Sequence, residues 1–154
     1  MAEELLFRKD VKKELTWDLS LIYKDEDALM ADAARLESFT AQLEKDYKGR
    51  LDSADRINEC LDKLREIYGI VTLVGNYCEL ATSVDYYDTH NMELAGRMNR
   101  RISECMSSLS FIDSELSAKS DELINEAAQA SKENANYLKE VLRGKPHLLS
   151  HETE

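Results

Sequence analysis

Three histidines, three cysteines and a dense set of carboxylates are the side chains here from which metal binding or nucleophilic attack could be built. His147 and His151 stand four apart, the spacing that places two imidazoles on one helical face for zinc. Pro146 precedes the first, and Leu148-Leu149-Ser150 between them holds no glutamate; the pair reads as surface or capping histidines. His151-Glu152-Thr153-Glu154 copies the first half of H-E-x-x-H. That motif works because two histidines one turn apart hold zinc while the glutamate takes a proton from its water. Its second histidine would fall one place beyond Glu154, and any His-Glu dipeptide satisfies the half-motif, so it is rejected as a metal site.

Cys60, Cys78 and Cys105 form no C-x-x-C and have no histidine close in sequence. Each lies among apolar residues, the setting of a reduced, buried thiol that packs as a small hydrophobe. A tertiary approach of His90 to one of them stays open. There is no glycine-rich loop of the kind that cradles nucleotide phosphates. Asp25-Glu26-Asp27 lacks the alternating ligands and glycine of a calcium loop and suits a helix N-terminus, where negative charge complements the dipole. These residues nominate no catalytic residue and no metal ligand.

The elements that would carry such groups are helical. Hydrophobic residues make up 43% of 154 positions, with one proline and five glycines, a balance that favours helix over a turn-rich β fold. The formal charge of −11 repels phosphate backbones and anionic lipid, so neither nucleic acid nor membrane is expected as a partner. No stretch approaches the roughly 18 apolar residues of a membrane span. The opening Met1–Leu15 mixes both charge signs, unlike a secretory signal. Reduced thiols and these absences predict a cytoplasmic protein.

Along the chain, residues 1–23 read as an extended arm that pins Trp17 onto the helices behind it. A first helix is expected from about Asp25 to Tyr47, with Leu29, Ala33, Leu36, Phe39, Leu43 and Tyr47 recurring at three and four. Gly49 suits a left-handed C-terminal cap, and Asp52 or Ser53 an N-cap. A long second helix follows from Ser53 to Val84, with Gly69 and Gly75 inside it as points of close approach or bending. Asp85-Tyr86-Tyr87-Asp88 reads as a turn. A third helix covers His90 to Ile112, a fourth Glu115 to Ala130 and a last one Glu133 to Arg143, ended by Gly144-Lys145-Pro146. Trp17, Tyr68, Tyr77 and Tyr137 are expected in packing positions. Short loops between long amphipathic helices imply antiparallel neighbours. The expected fold is all-α: an elongated antiparallel bundle of about five helices in a single domain over 1–154, with the bundle at 24–143 and an exit segment at 144–154.

Three segments carry a resemblance. Thr16-Trp17-Asp18-Leu19-Ser20-Leu21-Ile22-Tyr23 resembles the tWDLsdlY opening of the oligoendopeptidase F family of zinc metallopeptidases. Phe111-Ile112-Asp113-Ser114-Glu115-Leu116 is similar to that family's F-x-x-x-E-L segment, and Lys145-Pro146-His147-Leu148-Leu149-Ser150 to the [KR]-P-H-x-L-S stretch closing its helical N-terminal domain. The resemblance covers essentially this whole chain but about the first quarter of a family member, and none of the family's zinc-binding residues maps onto it. It implies a non-catalytic lobe, inactive alone, that helps enclose a channel for short oligopeptides. Its partners would be the catalytic domain of the same polypeptide and the oligopeptide itself. No cofactor belongs to this chain; zinc is implied for the full-length enzyme. Asp85, Tyr86, Tyr87 and Asp88, polar and aromatic at a helix–helix turn, are the candidates to face that channel. The alternative is a self-contained helical adaptor, favoured by the long apolar stripe of the second and third helices.

Overall fold

The computed structural model describes residues 10–85 and 87–147. Among them there is no strand; the regular structure is six α-helices joined by tight turns. The all-α expectation holds.

Helix α1 (Glu26–Tyr47) starts where Asp25 accepts the Ala28 N–H at 2.8 Å, with Glu26 and Asp27 in the first turn against the dipole. Its buried residues Leu29, Ala33, Leu36, Thr40, Leu43 and Tyr47 form one stripe. Gly49 ends it at φ 73°, the left-handed conformation only glycine takes cheaply. The Glu115 carboxylate accepts the Gly49 N–H, so a residue far along the chain completes this cap.

Helix α2 (Ala54–Val84) is capped by Ser53, whose hydroxyl accepts the Arg56 N–H. At 1.5 Å per residue its 31 residues span about 45 Å. Helix α3 (Thr89–Ser108) follows after a turn capped by Asp88. The three helices pack on one another in up-down-up order. Parallel α1 and α3 are tied by Glu26 to His90 and Arg97, and by Glu37 to Arg101. Arg101 holds the Glu37 carboxyl below the usual carboxylate range through that hydrogen bond.

Beyond α3 the order differs from the periodicity. The segments expected as 90–112 and 115–130 form three helices: α3, α4 (Phe111–Ala118) and α5 (Asp121–Ala130). The break falls at Leu109-Ser110. A straight α3 would bury Leu109 and Ile112 but carry Phe111 round to water, whereas the redirected chain buries both Phe111 and Ile112. Ser108 assists by donating its hydroxyl to the Cys105 carbonyl at 2.8 Å, a bond that competes with the backbone ladder. The second break is made by Ser120, which caps α5 through the Leu123 N–H. Helix α6 (Ala135–Gly144) folds back on α5 and touches α4, and α5 lies on α2.

Four local expectations are corrected. Trp17 is not pinned: it is 64% exposed, because Asp18 accepts both the backbone N–H and hydroxyl of Ser20 and winds Leu19–Leu21 into a 3₁₀ turn of its own. Tyr23 anchors the arm instead, with its ring edge-on to Tyr77 at 5.6 Å and its hydroxyl donating to Asp32 at 2.9 Å. Tyr68 is half exposed rather than packed in the core. Gly69 and Gly75 admit no close approach, since a Cβ at either would meet nothing within 4 Å. Lys145, although it precedes Pro146, is αR; its ammonium is held by the Lys119 carbonyl and Asp121 carboxylate, which offsets the steric preference for extended backbone.

Candidate functional site

The turn that was expected to face a peptide spends its carboxylates on itself. Asp85 accepts the Tyr87 N–H at 3.0 Å and Asp88 accepts the backbone N–H and side-chain amide of Asn91 at 3.1 and 2.9 Å. What remains free is the Tyr87 ring, 88% exposed. Tyr86 lies outside the described residues. Among the described residues, the turn offers the exposed Tyr87 ring, while Asp85 and Asp88 accept hydrogen bonds that hold the turn.

Cysteine chemistry is equally closed. All three thiols are buried. Burial pushes Cys60 up to about 12 and Cys78 up to about 11, with Glu115 and Glu26 adding repulsion to the respective thiolates, and Cys105 is raised too. A thiolate is the nucleophilic form, so these groups are inert at neutral pH. His90 stands against Glu26 at 2.9 Å rather than beside a thiol. His147 is exposed at the end of the Lys145–His147 turn; its sequence partner His151 lies outside the described residues. Among the described residues no three His, Cys, Asp or Glu side chains gather as a metal site.

One polar cluster escaped periodicity. Asn134, 3% exposed, sits at the start of α6 but does not cap it. Its amide instead donates to Asn58 Oδ1 at 2.9 Å and Asp62 Oδ1 at 3.1 Å, while its carbonyl accepts from Arg65. Asn58 in turn donates to the Ala127 carbonyl at 3.0 Å. This network bolts the α5–α6 pair to α2. An asparagine just ahead of an apolar helical stripe was the available signal, yet it suggests a cap and not a tertiary anchor.

Three clefts lined by described residues are small. Two clefts of about 150 and 160 Å³ share Leu64, Tyr68 and Tyr137. The Tyr137 hydroxyl donates to Asp113, and burial followed by that carboxylate drives the phenol well above its ordinary range. A third cleft of about 250 Å³ has Met30 and Met98 beside Arg97, Arg100 and Arg101. All fall below the roughly 300 Å³ at which small-molecule pockets begin.

The larger feature is an uneven surface. Charged residues fill about half of Ala54–Glu66, whereas residues 67–84 of the same helix hold Glu79 alone. Burial does not explain the change, because Gly69, Thr72, Leu73, Asn76 and Ser83 are exposed. The N-terminal half of α2 is tied to α5 and α6, while the outer side of the other half is exposed to solvent. Exposed Leu15, Trp17, Leu21, Leu73, Tyr87 and Met92 all belong to the arm, this half of α2, and the turn into α3 with its first helical turn. Monomeric surfaces seldom gather large apolar side chains in this way without a use.

No protein-family model matches the chain, and no solved structure does. Oligopeptidase PepF of Bacillus subtilis (strain 168) is 25% identical over 160 aligned positions. The alignment takes in 99% of this chain and 23% of PepF, so the chain spans less than a quarter of its relative's length. The similarity is to part of a peptidase. No described helix is long and apolar enough to cross a membrane.

Proposed function

We propose that this chain is the N-terminal, non-catalytic lobe of an oligoendopeptidase F-like zinc metallopeptidase that hydrolyses short oligopeptides. The observation that carries this is the alignment of nearly the whole chain with under a quarter of a longer oligopeptidase. The lobe's part would be mechanical. Rigid helices wall one side of the substrate path, exclude folded proteins by size and keep bulk water from the scissile bond. Zinc would supply Lewis acidity and an activated water. The residues described here do not fit that ion: the thiols are buried and protonated, and His90 is engaged with Glu26. Zinc and the general base would therefore lie in the remainder of the polypeptide.

The test compares the purified chain with the polypeptide encoded by its full reading frame, using an internally quenched oligopeptide with and without zinc. Hydrolysis is expected from the long form only, and lost on chelation. Turnover by the 154-residue chain, or a reading frame lacking H-E-x-x-H, would sink the proposal.

A further inference from the structure

We infer that the face formed by the arm, the outer side of α2 beyond Ile67 and the turn into α3 is the surface on which the remainder of a longer polypeptide packs. The inference rests on the proposed function for the existence of that remainder, and on the structure for where it sits.

Three observations choose this face and this occupant. First, the apolar anchors are grouped. Leu15, Trp17, Leu21, Leu73, Tyr87 and Met92 are exposed at one end of the molecule, the further exposed Tyr68 lies on the side of α2 towards Tyr137, and none of α1, α4, α5 or α6 contributes a large exposed hydrophobic residue among those described. The arm and α2 form one surface there, since Leu19–Leu21 lies against α2 and Tyr23 stacks on Tyr77, a turn from Leu73. Second, the α2 part of the face is nearly free of charge. In a chain of net −11, residues 67–84 hold Glu79 as their one charged residue, whereas about half of Ala54–Glu66 is charged. Permanent interfaces are depleted of charge at their centres and resemble a domain core cut in two, whereas a basic or acidic visiting partner would need opposite charge here. Third, more than three quarters of the relative's length lies outside its alignment with this chain, ample to cover such a surface.

A second copy of this chain fits less well. Helix-to-helix pairing calls for large apolar residues along one seam. Here Gly69, Thr72, Asn76 and Ser83 occupy the outer side of α2, and the anchors are divided among three elements.

Hydroxyl-radical footprinting of the isolated chain and of the full reading-frame product, each without peptide, tests the inference. Trp17, Tyr87 and Met92 should label strongly in the isolated chain and lose that labelling in the long form, while half-exposed Val141 and Leu142 of α6 keep theirs. Unchanged labelling in a long form that cleaves peptides would overturn the docking face and leave the proposed function standing. Loss that appears only on adding peptide would overturn it too, by making the face a substrate wall. A reading frame that stops at Glu154, with loss on self-association, assigns the face to a second copy and removes both proposals. As an independent check, Leu21→Glu and Tyr87→Glu should leave the thermal midpoint of the isolated chain unchanged, their side chains being 85% and 88% exposed, and lower that of the long form. Equal effects in both would refute the assignment.

Discussion

Replacing Asn134 with alanine tests whether a single buried amide holds the α5–α6 pair on the three-helix core. The side chain spends two donors on Asn58 Oδ1 and Asp62 Oδ1 and its acceptor on Arg65. A net intramolecular hydrogen bond contributes about 1 kcal/mol, and more when a partner is charged. Asp62 and Arg65 are 56% and 50% exposed at their side chains, so water re-solvates them after the truncation and the charge-assisted bonus is discounted. Asn58 is only half-buried and loses its partner in a narrower space. The sum is a loss of about 2–3 kcal/mol for Asn134→Ala. With a urea slope of roughly 2 kcal/mol per molar, the midpoint should fall by about 1 M. Circular dichroism through a urea titration reads it. Asn134→Asp sharpens the test, because a carboxylate replaces two donors with acceptors facing Asp62 Oδ1 and Asn58 Oδ1. It should be at least as destabilising as alanine despite its attraction to Arg65. A change within about 0.5 kcal/mol for Asn134→Ala, or an aspartate variant more stable than the alanine one, would refute the account.

Gly69→Ala should stabilise the chain by about 0.5–1 kcal/mol, since the position is helical and exposed and a Cβ meets nothing; Gly49→Ala, at φ 73°, should cost about 1 kcal/mol, both read by urea midpoints. The folded thiols of Cys60 and Cys78 are raised from 9.0 to about 12 and about 11. Their contribution is thus intact below pH 9 and lost as pH rises toward those values. Stability should drop by roughly 3 kcal/mol between pH 9 and 10.5 from these two thiols, with Tyr23, Tyr47, Tyr77 and Tyr137, all raised chiefly by burial, pulling in the same direction. The slope should flatten in a Cys60→Ala, Cys78→Ala variant. Trp17 fluorescence should resemble that of free tryptophan and be quenched fully by acrylamide; a blue-shifted, protected emission would contradict the exposed arm.

Sequence by itself determined most of the helices, because capping and periodicity act within a few residues. Asp25, Ser53 and Gly49 mark α1 and α2 where the structure places them, and the stripe from Leu29 to Tyr47 or from Ile57 to Ala81 can face inward in only one way. The burial of all three cysteines was equally local, following from their places on the apolar stripes of α2 and α3. The break at Leu109-Ser110 was not local: α3 stops because burying Phe111 together with Ile112 requires a partner surface on a redirected helix, and periodicity along one axis cannot describe a change of axis. Trp17 shows the same limit from the other side. An indole invites burial, but whether a surface exists to receive it depends on where the arm lies, and Tyr23 takes that place on Tyr77. Asn134 reads as a cap until α2 brings Asn58 and Asp62 beside it. Asp85 and Asp88 read only as polar residues of a turn, and the N–H groups of Tyr87 and Asn91 that they accept are set by how that turn folds. What only tertiary structure decided was which polar groups are already satisfied and which apolar ones are left over, since both depend on neighbours distant in sequence.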